Sequence, residues 1–224
     1  MAKIGVLIPC RDRKEYTEKC LRSIETAQTY QDVRFHLVDD GSNDNTIEIL
    51  NSSTLPKIVT RYEESCGLRK VIINFFHHAK QYDYILKVDN DCLVPKLWLK
   101  SIIDVLSTSD VDILSPNVSP SNAAFTNGVY QEGLNYRPSR IVGGLWAMRS
   151  KLIEGIDFDG YGVSGIIGAF QILNQIIIEK DAKVGWLPDV TFQDIGHWSG
   201  EHPEHIKSDA HREYSAQIGR RIAW

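Results

Sequence analysis

The chain has 224 residues, 42% of them hydrophobic and 24% charged, with a formal net charge of −4. That length is enough for one sizeable core, and the weak negative balance argues against a general affinity for nucleic acid or anionic membrane. The four cysteines (Cys10, Cys20, Cys66 and Cys92) are scattered without a Cys-x-x-Cys pair, which points to neither zinc nor a disulfide framework and to a reduced, cytoplasmic compartment.

The first residues, Ile4-Gly5-Val6-Leu7-Ile8, read as a short apolar strand ended by Pro9 rather than as a signal peptide. A polar loop, Cys10 to Arg13, precedes a helix from about Lys14 to Thr29, with Tyr16, Cys20, Leu21, Ile24 and Ala27 at helical spacing. Val33 to Val38 is a second strand running into Asp39-Asp40-Gly41-Ser42, turn chemistry before a helix through Leu50. A third strand is expected at Lys57 to Thr60, a helix at Leu68 to Gln81 and a central strand at Tyr84 to Val88. A Pro-started amphipathic helix follows from Pro95 to Leu106, then a strand at Val111 to Leu114.

Residues Ser115 to Arg140 turn rich in Ser, Asn, Pro and Gly, with Phe125, Tyr130 and Tyr136 interspersed. So long a loop is expected to act as a lid or an acceptor-binding surface. Ile141 to Arg149 reads as a strand with the pair Gly143-Gly144 near its start, Ala169 to Lys180 as an apolar helix, and Val184 to Phe192 as a closing strand pair. No apolar run approaches the roughly 18–20 residues that cross a bilayer.

Strands alternating with helices predict an α/β domain with a mostly parallel central sheet flanked by helices. Ligands in such sheets bind beyond the carboxyl ends of the strands. Three polar clusters fall there: Pro9-Cys10-Arg11, Asp39-Asp40 and Asp89-Asn90-Asp91. In an extended segment Asp89 and Asp91 share one face. Like charges so close call for a cation between them, and a hard ion such as Mg²⁺ or Mn²⁺ prefers oxygen ligands. The bland reading of an Asp-x-Asp is a polar turn capping the next helix.

Three segments together resemble the family-2 glycosyltransferases with the A-type nucleotide-sugar-binding fold: Val6-Leu7-Ile8-Pro9-x-Arg11-x-Arg13, Leu37-Val38-Asp39-Asp40-Gly41-Ser42, and Lys87-Val88-Asp89-Asn90-Asp91. The resemblance covers residues 3 to 100 well and runs more loosely to about 200. It implies a single domain over 1–224, with a nucleotide-sugar-binding half at 1–100, an acceptor-binding half at 101–200 and a tail at 201–224.

By the same resemblance, Pro9 and Arg11 border the nucleotide, Asp39 accepts from the base ring (often uracil), and Asp40 supports that loop. Asn90 belongs to the nucleotide-sugar motif, Asp91 is the direct ligand of Mn²⁺ or Mg²⁺, and Asp89 lies beside it near the ribose. Gly144 and Trp146 stand beside the sugar, Arg69 is a candidate for the phosphates, and His197 matches a late histidine that completes the metal shell. The implied reaction moves a sugar from a nucleotide diphosphate sugar, UDP favoured, to a hydroxyl on a glycan, a lipid-linked intermediate, a protein or a modified nucleobase.

One departure concerns the general base. Inverting relatives carry an acidic pair at the start of the late helix, whereas Tyr161 to Gly168 holds no acid. Asp157 and Asp159 are the nearest candidates. Inversion is the family default, retention stays open, and a binder that has lost its base is a second reading. A sugar-phosphate nucleotidyltransferase is a third, but it needs a glycine-rich phosphate loop after the first strand, and Pro9 to Glu15 contains no glycine.

Overall fold

A computed structural model of the chain describes residues 2–27, 32–119, 136–139, 145–158 and 165–196. The elements run β1 (Ile4–Cys10), α1 (Lys14–Ala27), β2 (Val33–Asp40), α2 (Thr46–Ser52), β3 (Lys57–Tyr62), α3 (Leu68–Ala79), β4 (Tyr84–Lys87), β5 (Cys92–Leu93) and α4 (Trp98–Thr108). They continue with β6 (Ile113–Ser119), β7 (Arg137–Ser139), β8 (Trp146–Arg149), a 3₁₀ turn at Ser150–Ile153, α5 (Gly165–Lys180) and β9 (Val184–Asp194).

All the strands among the described residues join one sheet in the order β3-β2-β1-β4-β8-β6-β9-β5, with β7 on β9. Parallel pairs, β3-β2-β1-β4 and β6-β9, make up most of the ladder; β8 runs antiparallel between β4 and β6. Both faces are covered. Ile4, Val6 and Ile8 of β1 face a core shared with Cys20, Leu21 and Ile24 of α1, Leu50 of α2 and Trp98, Ile102 and Leu106 of α4. Leu7, Ile85 and Met148 face the other way, onto Val71, Phe75 and Phe76 of α3 and Ile172 and Ile176 of α5. Burial on both faces explains why β1 reads as a continuous apolar run instead of an alternating one.

The sheet sense brings distant segments to one edge. The carboxyl ends of β1, β2, β4, β6 and β9 all lie there, with the start of antiparallel β8, where Trp146 pairs Lys87.

Four local expectations need correction. Asp89 and Asp91 do not lie on an extended segment: the Cys92 amide donates to the Asp89 carbonyl at 3.2 Å, closing a turn. The helix after Pro95 begins at Trp98: Cys92–Leu93 first pairs with Gln193 and Asp194 of β9, and Leu97 stands at φ +59°, outside helical geometry. The closing strand pair is one eleven-residue strand, in which a register shift between Pro116 and Asn117 of β6 accommodates Pro188, a residue with no N–H to donate. Tyr136 is a core side chain, 7% exposed, and its hydroxyl donates to Asp110 at 2.9 Å. The other two aromatics of the expected lid, Phe125 and Tyr130, lie outside the described residues. No described helix is long and apolar enough to cross a membrane.

Candidate active site

The site is built on two loops fastened to each other. After β1, Asp12 donates its amide to Ser42 Oγ at 2.8 Å and its carboxylate accepts from the Asn43 amide at 2.8 Å. Asp44 accepts from the Lys14 amide at 2.9 Å. This clamp ties the start of α1 to the loop after β2.

At the end of β2, Asp39 has no exposed surface. Its Oδ1 accepts from the Ser42 amide at 3.0 Å, while Oδ2 is buried without a hydrogen bond, with Arg61 Nε 3.6 Å away. A buried carboxylate oxygen without a donor is costly unless a ligand supplies one. Asp40 is used differently. Its carboxylate accepts from the Cys66 amide at 2.7 Å, Ser65 Oγ at 2.8 Å and the Gly67 amide at 3.0 Å, which fixes the loop before α3. Burial would raise its pKa, but these bonds outweigh it and hold the group below the usual carboxylate range. Gly41 turns the chain directly after them at φ +69°, where a Cβ would meet the Ser65 nitrogen at 2.5 Å.

The turn after β4 presents the acidic pair. Asp91, 7% exposed, accepts from Arg13 Nη1 at 2.8 Å. Asp89 is paired with the buried ammonium of Lys87. Asn90 points the other way, donating to Thr17 Oγ1 at 2.8 Å, so it braces the turn against α1. The far end of β9 closes over Asp91: the Ile195 amide donates to its carbonyl at 2.9 Å, and a Cβ built on Gly196 would overlap its carboxylate.

The thiols beneath this turn are not nucleophiles. Cys10, Cys20 and Cys92 are buried, and burial, followed by neighbouring thiol and carboxylate charge, pushes all three well above the usual thiol range. Among the described residues all four cysteines are free.

Of the other expected site residues, Pro9 is half-buried on β1 and Arg11 is exposed at its end. Trp146 is 2% exposed and packs 6.0 Å from Phe76, so its ring belongs to the core. Arg69, expected near the phosphates, bonds the Phe158 carbonyl and ties α3 to the segment before α5. Asp157 is exposed on that segment, its carbonyl accepting from Gln175 Nε2 at 3.0 Å. Gly144, Asp159 and His197 lie outside the described residues. Arg13 and Lys87 stood in the quoted motifs without an assigned role, and Gly196 was not singled out by sequence reasoning. Lys87 had a visible signal, a lone cation interrupting an apolar strand just before two acids. Gly196 had none, since only folding brings it to Asp91.

Whether the acids suit a divalent ion can be judged from the donor set. Asp89 and Asp91 offer hard carboxylate oxygens, each already neutralised by a cation, which is the electrostatic condition a metal would also satisfy. Their oxygens are of the hard type that Mg²⁺ or Mn²⁺ takes, and no group of three ligating side chains occurs among the described residues.

The family model for glycosyl transferase family 2 matches residues 5–181. The chain belongs to this family and has the A-type fold. It is 28% identical over 116 residues to the glycosyltransferase GlyG of Streptococcus pneumoniae, covering 51% of this chain and 38% of GlyG. It superposes on Staphylococcus aureus TarS 1–349 in complex with UDP-GlcNAc with a TM-score of 0.66 at 22% identity, covering 85% of this chain and 58% of that one. The mannosyltransferase PcManGT of Pyrobaculum calidifontis, in complex with GDP-Man and Mn²⁺, gives a TM-score of 0.65 at 18% identity, covering 90% and 59%. The chain thus spans well under two thirds of the length of these proteins.

Proposed function

We propose that this glycosyltransferase takes a sugar from a uridine diphosphate sugar to a hydroxyl acceptor, with inversion and with the help of a divalent cation. The observation that carries the reading is Asp39, a fully buried carboxylate with one oxygen lacking a donor, on the same sheet edge as an acidic pair. A pyrimidine ring with a protonated N3 supplies the missing N–H; uracil has it and cytosine does not. Guanine N1–H offers the same chemistry, so GDP is the natural competitor. TarS was solved with UDP-GlcNAc and PcManGT with GDP-Man, which supports both names on the shortlist.

In this reading Pro9 and Arg11 flank the nucleotide, and Asp40 holds the loop that aims Asp39. Asp91, with Asp89 beside it, would hold Mn²⁺ or Mg²⁺, and His197 would add a further ligand. A bound divalent ion supplies charge neutralisation for the departing nucleoside diphosphate. The acceptor hydroxyl attacks the anomeric carbon as the bond to the diphosphate oxygen breaks, and its proton passes to Asp157 or Asp159 as general base. Both stand before α5 in the sequence, and Arg69, in the first turn of α3, bonds the carbonyl of Phe158 next to Asp157.

Thermal melting with UDP, GDP, CDP and dTDP, with and without Mn²⁺, tests the donor site, since a ligand of the native state raises apparent stability. UDP should raise the melting temperature only with Mn²⁺, and not in Asp91→Ala; CDP should do neither. No shift with any nucleotide sinks the reading. Asp157→Asn and Asp159→Asn should separate the bases: the true one loses turnover, by roughly 10²–10⁴-fold, and keeps the UDP shift.

A further inference from the structure

Arg13 reaches Asp91 from a backbone that resists the conformation it adopts. Asp12 and Arg13 have φ values of +53° and +62°, consecutive left-handed residues of which neither is glycine. The clamp described above holds them there, reinforced by Thr46 Oγ1 on the Asp12 carbonyl at 3.3 Å. Strain that the surroundings over-determine gathers where a side chain must be aimed. What is aimed here is a guanidinium, 20% exposed, at a carboxylate 10% exposed.

The oxygen it meets is Asp91 Oδ2, and Gly196 closes over that same atom from the end of β9. There is little room for Arg13 and a divalent ion on Oδ2 together, and two cations so close repel. A guanidinium driven off a carboxylate finds its next best partner in a phosphate, which it binds bidentately.

We propose that Arg13 is a positioning residue that exchanges partners. It neutralises Asp91 in the donor-free protein and turns to the donor's diphosphate once a divalent ion takes its place. The inference rests on the donor-site reading above and adds an order to it: the ion alone binds poorly, and ion and nucleoside diphosphate load together.

The test is a Mn²⁺ titration followed by the electron paramagnetic resonance signal of the free ion, on wild type and Arg13→Gln, each alone and with UDP or GDP. Arg13→Gln should bind Mn²⁺ alone tighter than wild type by about tenfold or more, the size of effect a neighbouring charge has on a carboxylate. It should bind the nucleotide with Mn²⁺ more weakly. Damage to a merely structural contact does not tighten metal binding. Should Arg13→Gln melt well below wild type, the comparison is read in Arg13→Met, which keeps the aliphatic stem. Equal Mn²⁺ affinity in wild type and variant overturns the exchange. So does nucleotide binding by wild type without metal that the variant loses, which would make Arg13 a permanent substitute for the ion. Absence of Mn²⁺ binding by wild type with either nucleotide fails the donor-site reading itself, a result distinct from both.

Discussion

At the residue scale, two adjacent aspartates at the end of β2 do opposite jobs. Asp40 spends both oxygens on the Ser65 hydroxyl and the Cys66 and Gly67 amides, and is structural. Asp39 leaves Oδ2 without a hydrogen bond, 3.6 Å from Arg61 Nε. The difference follows from alternation along the strand, which turns neighbouring side chains to opposite faces. Asp39→Asn therefore isolates recognition from folding. Its Oδ1 can still accept from Ser42, so melting should barely move, while UDP affinity should fall about tenfold, the worth of one bond to a charged acceptor. Calorimetric titration measures it; unchanged affinity would remove Asp39 from the site. The sequence marked both aspartates as one polar cluster at a strand end, whereas their different hydrogen bonding was not legible, because it depends on which loop each carboxylate faces.

At the element scale, the end of β9 covers the acidic turn. It begins beside β6, absorbs Pro188 through a register shift, and ends by pairing Asp194 with Cys92 of β5, next to Asp91. Phe192, 1% exposed, anchors it edge-on against Trp98 of α4, with ring centres 5.6 Å apart. Phe192→Ala should cost about 3–5 kcal/mol, read as a lower urea midpoint. It should also weaken nucleotide binding with Mn²⁺, because the strand that covers Asp91 loses its anchor. A variant that loses stability but binds as wild type would show that β9 does not shape the site. Sequence reasoning found the apolar content of this stretch and split it into two strands, since a proline in mid-run reads as a break when the irregularity that leaves residues 188–190 unpaired with β6 is out of view.

At the scale of the whole molecule, both faces of the sheet are dry, and a titratable group is enclosed in one of them. His36 of β2, 8% exposed, lies 2.8 Å from the Tyr82 hydroxyl and edge-on to Phe75. Burial, helped by the charges of His78 and Arg34, lowers its pKa from 6.5 to about 4. The unfolded chain then binds the extra proton first, so stability is complete above about pH 6.5 and drains as pH falls toward 4. The loss should reach roughly 2–3 kcal/mol from this group. Chemical denaturation at a series of pH values should show that slope in wild type and a flatter one in His36→Gln; parallel curves would discharge His36 from the role.

The amino-acid sequence by itself determined the parallel half of the sheet, its two-sided burial and the three polar clusters at one edge, because strand periodicity and turn chemistry are local. Tertiary structure alone decided that Arg13 neutralises Asp91, that Lys87 neutralises Asp89, and that Gly196, 105 positions beyond Asp91 in the numbering, closes over it. Those contacts depend on the crossing order of the sheet and on loop conformations held by distant hydrogen bonds, and no local pattern of residues encodes either.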